Sequence, residues 1–125
     1  MSGRLTTHVL DLSQGKPAAG MSLQLWEFGA GVPKLLRQAV TNSDGRLDAP
    51  LLAGEELLPG SYELVFMAGD YFRGAQAAAG GEPGSRTSNM FLEHIPIRFN
   101  ILDPAEHYHV PLLVAPGGYS TYRGS

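Results

Sequence analysis

The chain has 125 residues, 43% of them hydrophobic, with nine Lys and Arg against twelve Asp and Glu and no cysteine. Residues 1–125 read as a single domain, since domains run to about 100–150 residues, and without cysteine any chemistry falls to His, carboxylates, hydroxyls, Arg or Tyr. The net charge of -3, with no basic cluster, argues against nucleic acid; no apolar run suits a membrane span or a secretory leader, so a cytoplasmic protein is expected.

Short apolar runs separated by Gly and Pro clusters about every ten residues give the rhythm of an all-β sandwich. Thr6 to Leu12 reads as the first strand, closed by the turn-rich Ser13-Gln-Gly-Lys-Pro17, and Met21 to Phe28 as the second. Gly29-Ala-Gly-Val-Pro33 connects it to a third, Lys34 to Thr41. Asn42-Ser-Asp-Gly45 is a turn, because Asp-Gly tolerates positive φ, and a short strand is expected to begin at Arg46. Ser61 to Met67 reads as a strand, and Asp70 to Ala79 as the one short helix, with Asp70 placed to cap it.

The polar, Gly-rich stretch from Gly80 to Ser88 is expected to be a surface loop. Ile95, Ile97, Phe99 and Ile101 alternate with Pro96, Arg98 and Asn100 as a half-buried strand, and Pro96 points to one unpaired edge. Asp103-Pro104 turns the chain into a strand from Tyr108 to Val114, and Ala115-Pro-Gly-Gly118 turns it again into Tyr119 to Arg123.

Four histidines, at 8, 94, 107 and 109, are the candidates for proton transfer, because an imidazole titrates near neutral pH. Period-two alternation puts His107 and His109 on one face of a strand. That pair could begin a zinc site, but no third ligand is forced by spacing. Arg46, just after a tight corner, carries a planar fork of donors suited to a carbonyl-rich or anionic substrate. The remaining cluster is Tyr119-Ser-Thr-Tyr-Arg-Gly-Ser125, rich in hydroxyls and holding one guanidinium.

Leu5-Thr-Thr-His-Val-Leu-Asp11 with Gly15-Lys-Pro17, Thr41-Asn-Ser-Asp-Gly-Arg46, and His107-Tyr-His-Val-Pro-Leu-Leu113 leading into Gly118-Tyr-Ser-Thr-Tyr-Arg-Gly-Ser125 span nearly the whole sequence. Together they resemble the transthyretin-like family and, within it, the 5-hydroxyisourate hydrolases, of which the closing Tyr-Arg-Gly-Ser looks like the signature. The resemblance implies a two-sheet β-sandwich of about eight strands with one short helix. It further implies a homotetramer built as a dimer of dimers, with active sites facing a channel between the dimers.

Carried over position by position, the family's active-site residues fall on His8, Arg46, His109, Tyr122, Arg123, Gly124 and Ser125. The implied reaction is hydrolytic ring opening of 5-hydroxyisourate, in urate breakdown, without a cofactor or metal. His8 and His109 would activate the water and Arg46 would stabilise the oxyanion, while Tyr122 and Ser125 would shape the pocket. Alternation places Ser120 on the face of Tyr122 and adds it to the substrate-binding set. The alternative is a transthyretin-type carrier of a small aromatic ligand in the same channel, since fold does not fix function. A zinc hydrolase using His107 and His109 is a weaker third reading.

Overall fold

The computed structural model describes residues 3–29, 31–78 and 90–125, with the side chains of 76–78 left out; the loop expected at Gly80 to Ser88 lies outside the described residues. Two sheets face each other. Among the described residues the strands are β1 (Arg4–Asp11), β2 (Lys16–Pro17), β3 (Ser22–Phe28), β4 (Lys34–Val40), β5 (Leu52–Ala53), β6 (Gly60–Phe66), β7 (Ile95–Ile101), β8 (Tyr108–Ala115) and β9 (Gly118–Thr121), with one α-helix, α1 (Ala68–Ala78), and one 3-10 turn, Gly54–Glu56. One sheet runs β2-β1-β8-β9, with β5 also on β1; the other runs β4-β3-β6-β7. The all-β, two-sheet expectation holds.

The pairing of β1 with β8 is parallel, from Leu5 beside Tyr108 to Asp11 beside Val114, whereas every other strand pair is antiparallel. Both strands obey period-two alternation. Leu5, Val9, Tyr108, Val110, Leu112 and Val114 point inward and are buried against Leu23, Leu25, Tyr62, Leu64 and Phe66 of the facing sheet. Their neighbours Thr6, His8 and His109 are therefore left on the outer face, half-buried. Burial of the inner set, at about 25 cal/mol per Å² of apolar surface, is what fixes the outer set in place.

Of the three polar side chains buried among the described residues, Thr7, Asp11 and Thr41, two lie on β1, and both are hydrogen-bonded, as burial demands. Thr7 donates to the carbonyl of Val110 at 2.7 Å. Asp11, fully buried, accepts from the Ser13 amide and hydroxyl, the Gln14 amide and side chain, and the Tyr71 hydroxyl at 2.7 Å. The last bond ties α1 to the end of β1. Burial and then Asp11 raise the Tyr71 pKa well above the usual phenol value, so the hydroxyl stays a donor.

Four expectations are corrected. Arg46 does not begin a strand: it makes a single antiparallel bridge to His8, and the next strand is β5. The Ser13–Pro17 turn ends in a strand of its own, β2, which pairs Lys16 and Pro17 with β1. Helix α1 starts at Ala68, so Asp70 sits in its first turn instead of capping it, and binds Arg73 at 2.6 Å. Finally β9 stops at Thr121, not Arg123. The first two have one cause: β1 has a single long neighbour, β8, and its other edge is covered piecewise by β5, Arg46 and β2. Short pieces suffice to satisfy an edge. As for Pro96, it lies on β7, an edge strand paired only with β6.

The turn carrying Arg46 is built by Asn42, whose side-chain oxygen accepts the amides of Asp44 at 2.9 Å and Arg46 at 3.2 Å. Gly45 holds φ at +74° and gives its carbonyl to the Val9 amide at 2.8 Å. A Cβ there would lie 2.3 Å from the Val9 carbonyl oxygen. Gly45 is thus required both for its backbone angle and for the close approach to β1. Gly45→Ala is expected to destabilise the fold by roughly 1–3 kcal/mol, read as a lower midpoint in urea.

Candidate active site

On the outer face of β1 and β8 lies a cleft of about 460 Å³ whose walls include Thr6, Arg46, Asp48, His107, His109 and Ser125. Thr6 and His109 are register partners in the parallel pair. Their side chains meet, with the Thr6 hydroxyl 2.8 Å from His109 Nδ1. A hydroxyl can donate or accept, so this bond fixes the ring and, in either tautomer, leaves Nε2 for the cleft. Thr6 was not singled out from the sequence. Alternation placed it on the face of His8, but only the adjacency of β1 and β8 reveals its partner.

His8 sits one alternation along β1, bridged to Arg46, and its Nε2 is 3.0 Å from the Asp44 carbonyl. A carbonyl oxygen only accepts, so His8 donates from Nε2 and, when neutral, keeps its lone pair on Nδ1. His8 is not itself a wall of the cleft; it is joined to one of the walls through its bridge to Arg46. The Asn42 side chain, which built the turn, also reaches Asp48 at 2.9 Å and so links two walls of the cleft region.

The electrostatics of this group follow from burial among like charges. Desolvation first, and the Arg46 guanidinium second, hold the His8 pKa below the ordinary 6.5, against the opposing pull of the Asp44 carbonyl. Desolvation, then Arg46, then His8 do the same to His109. Both imidazoles are therefore neutral at pH 7 and able to accept a proton, while Arg46 remains the fixed cation. Arg46 and His109, both walls of the cleft, can polarise a carbonyl and move a proton at one place.

The remaining candidates divide. Ser125 reaches the cleft, carried by Gly124, whose amide donates to the His109 carbonyl at 2.8 Å. Ser120 and Tyr122 are outside it. Ser120 is exposed on β9, and Tyr122, 60% exposed, borders a separate apolar cleft of about 260 Å³ at the open edge between β7 and β8. His107 walls the candidate site beside His109, as the shared face requires, and His94 does not. Among the described residues no group of three or more His, Asp and Glu gathers at metal-binding distance.

A sandwich carrying two imidazoles and a guanidinium on one sheet face defines a class in which this chain can be placed. It belongs to the HIUase/Transthyretin family, whose model matches residues 5–124. It is 56% identical over 126 residues to the 5-hydroxyisourate hydrolase of Halalkalibacterium halodurans, covering 100% of both chains. The solved 5-hydroxyisourate hydrolase of Klebsiella pneumoniae superposes with a TM-score of 0.75 at 37% identity, over 98% of this chain and 99% of that one. The structure of (S)-allantoin synthase matches 99% of this chain with a TM-score of 0.84 at 44% identity. This chain spans 44% of the length of that protein.

If neutral His8 and His109 are needed for turnover, the rate falls as pH drops through their depressed pKa values. The acid limb of kcat/KM against pH is expected to have its midpoint below 6.5. Because Arg46 is a cause of both depressions, Arg46→Ala is expected to move that limb upward in pH as well as slow the reaction. A limb unmoved by the substitution would separate Arg46 from the two rings.

Proposed function

We propose that this chain hydrolyses 5-hydroxyisourate. The observation that carries the reading is the meeting of Arg46 and His109 in one cleft, with His8 bridged to Arg46, in a chain 56% identical along its whole length to a protein of that name. Ring opening of a cyclic acyl urea adds the oxygen of water to a ring carbonyl carbon, breaks its bond to the ring nitrogen, and moves one proton from the water to that nitrogen. The products are a carboxyl group and a ureido N–H.

Each demand has a residue suited to it. Arg46 holds the carbonyl oxygen and the negative charge that develops on it in the tetrahedral state. His109, fixed by Thr6, and His8, fixed by the Asp44 carbonyl, supply the proton acceptor and the proton donor. Ser125, a wall of the cleft, offers hydrogen bonds to the ring. Ser120 and Tyr122 join the substrate-binding set only if assembly brings them to the cleft of another copy, since both stand away from this one.

The assembly belongs to the same proposal: a homotetramer, a dimer of dimers, supported by a polar cleft that opens on a sheet face and by edge strands β7 and β9 that pair on one side only. The proposed address is the cytoplasm; a chain without cysteine needs no oxidising compartment. No helix among the described residues is long and apolar enough to cross a membrane. The carrier reading is less well supported, because a cation and two proton-active rings suit a reacting carbonyl better than an inert ligand.

The protein is expected to accelerate the ultraviolet decay of freshly made 5-hydroxyisourate, and a decay at the spontaneous rate would refute the hydrolase. His109→Asn removes the proton-transfer group while keeping its size, and is expected to lower kcat by about 10²–10⁴-fold. Light scattering on the wild type and on this variant is expected to give the same mass, four times the 13.4 kDa of the chain.

A further inference from the structure

The antiparallel register of β8 against β9 sets Leu112 opposite Thr121 and Leu113 opposite Ser120. Continued, it sets Pro111 opposite Tyr122 and His109 opposite Gly124, and the second of these pairs is made as an isolated bridge. In such a ladder, residues that exchange hydrogen bonds recur every second position, so Pro111 is where β8 would next donate to the neighbouring strand. Proline has no N–H. The ladder fails there, and the Thr121 hydroxyl takes up the Pro111 carbonyl at 2.7 Å instead. The segment after Thr121 is therefore cut off from the hairpin and needs its own attachment.

Arg123 provides it. Its Nη2 donates to Glu106 Oε1 and to the His107 carbonyl, both at 2.9 Å, and its guanidinium lies over the Tyr108 ring, 4.3 Å from the centroid. That ring is a fixed platform: it is buried, and its hydroxyl accepts the amides of Leu102 at 3.1 Å and Asp103 at 2.9 Å. Gly124, next in the chain, lies close beside the imidazole of His109. A Cβ on Gly124 would stand 2.6 Å from His109 Cδ2 and 3.3 Å from Cγ. Gly124 has no positive φ, so glycine is needed there for space alone.

We infer that Arg123 and Gly124 are positioning residues for His109: Arg123 latches the segment to β8 across the proline gap, so that the backbone at Gly124 closes one side of the imidazole and delivers Ser125 to the cleft. Thr6 holds the ring at Nδ1 and Gly124 presses on its Cδ2 edge. The exposed ion pair with Glu106 contributes little; the stack on Tyr108 and the bond to the His107 carbonyl, which need a planar fork, set the geometry. The charged or titratable groups around His109 are Arg4 and His8 of β1, Arg46 and Asp48 between β4 and β5, and His107 just before β8.

The inference rests on His109 serving in proton transfer, so His109→Asn is measured beside Arg123→Ala, Arg123→Lys and Gly124→Ala, all on the full chain with folding checked by circular dichroism. In the wild type, NMR is expected to show a cross-relaxation peak between the Gly124 Hα protons and His109 Hδ2. Arg123→Ala is expected to abolish that peak and lower kcat/KM at least tenfold in a folded protein. Arg123→Lys, which keeps the charge but not the planar stack, restores only part of both. Gly124→Ala, which alters no charge, lowers kcat/KM at least tenfold. An Arg123→Ala protein that keeps the peak, or keeps kcat/KM within a few-fold while His109→Asn is inactive, overturns the positioning role and leaves the site reading standing. Full activity in His109→Asn overturns the site reading itself.

Discussion

The parallel pairing of β1 with β8 is the constraint on which the candidate site depends. Its residues come from opposite ends of the sequence, and the Thr6 to His109 bond spans 103 positions. Parallel neighbours cannot be joined by a tight turn, so the intervening chain builds the facing sheet and α1 before returning. The register then decides everything at the cleft. A slip of one residue would exchange Thr6, His8 and His109 for Leu5, Val9 and Tyr108 on the outer face. Burial of those apolar groups, with the buried Thr7 bonded to Val110, makes such a slip costly.

The second dependence is electrostatic. A chain with net charge -3 places Arg46 beside two imidazoles, and the nearby Asp48 carboxylate is engaged by Asn42. Burial first and the neighbouring cation second hold the pKa values of His8 and His109 down, both acting against protonation. Asp44 pulls the other way on His8, through its carbonyl and its charge, and the carbonyl also orients the ring.

Much of the fold was legible in the sequence, because alternation is a local signal. The strands Thr6 to Leu12, Ile95 to Ile101 and Tyr108 to Val114 were located to within one or two residues, and the shared face of His107 and His109 follows from period two alone. Four features were not legible, for a common physical reason. The bridge of Arg46 to His8, the strand at Lys16–Pro17, the bond of Thr6 to His109 and the end of β9 are each settled by what the neighbouring strand offers, not by the composition of the segment itself. The choice of His8, Arg46 and His109 from among the polar residues came from family resemblance, since nothing in composition or spacing distinguishes them from solvated surface. Alternation extended through Tyr122 assumed a continuous strand; Pro111, on the opposite strand, interrupts it.

Pro111 also has a mechanical side. Its unbroken partner is β1, where it sits beside His8, while the ladder to β9 is interrupted. One residue thus leaves the sandwich continuous on one flank and perforated on the other. Release of the last few residues from His109 would give up the Gly124 amide bond, the Arg123 stack and the Arg123 bonds to Glu106 and the His107 carbonyl, while the β8–β9 hairpin keeps its own pairing. Openings of this kind lie at the low end of a protein's range of local unfolding free energies. The register of the two strands beneath the imidazole is held by separate bonds and does not depend on that segment.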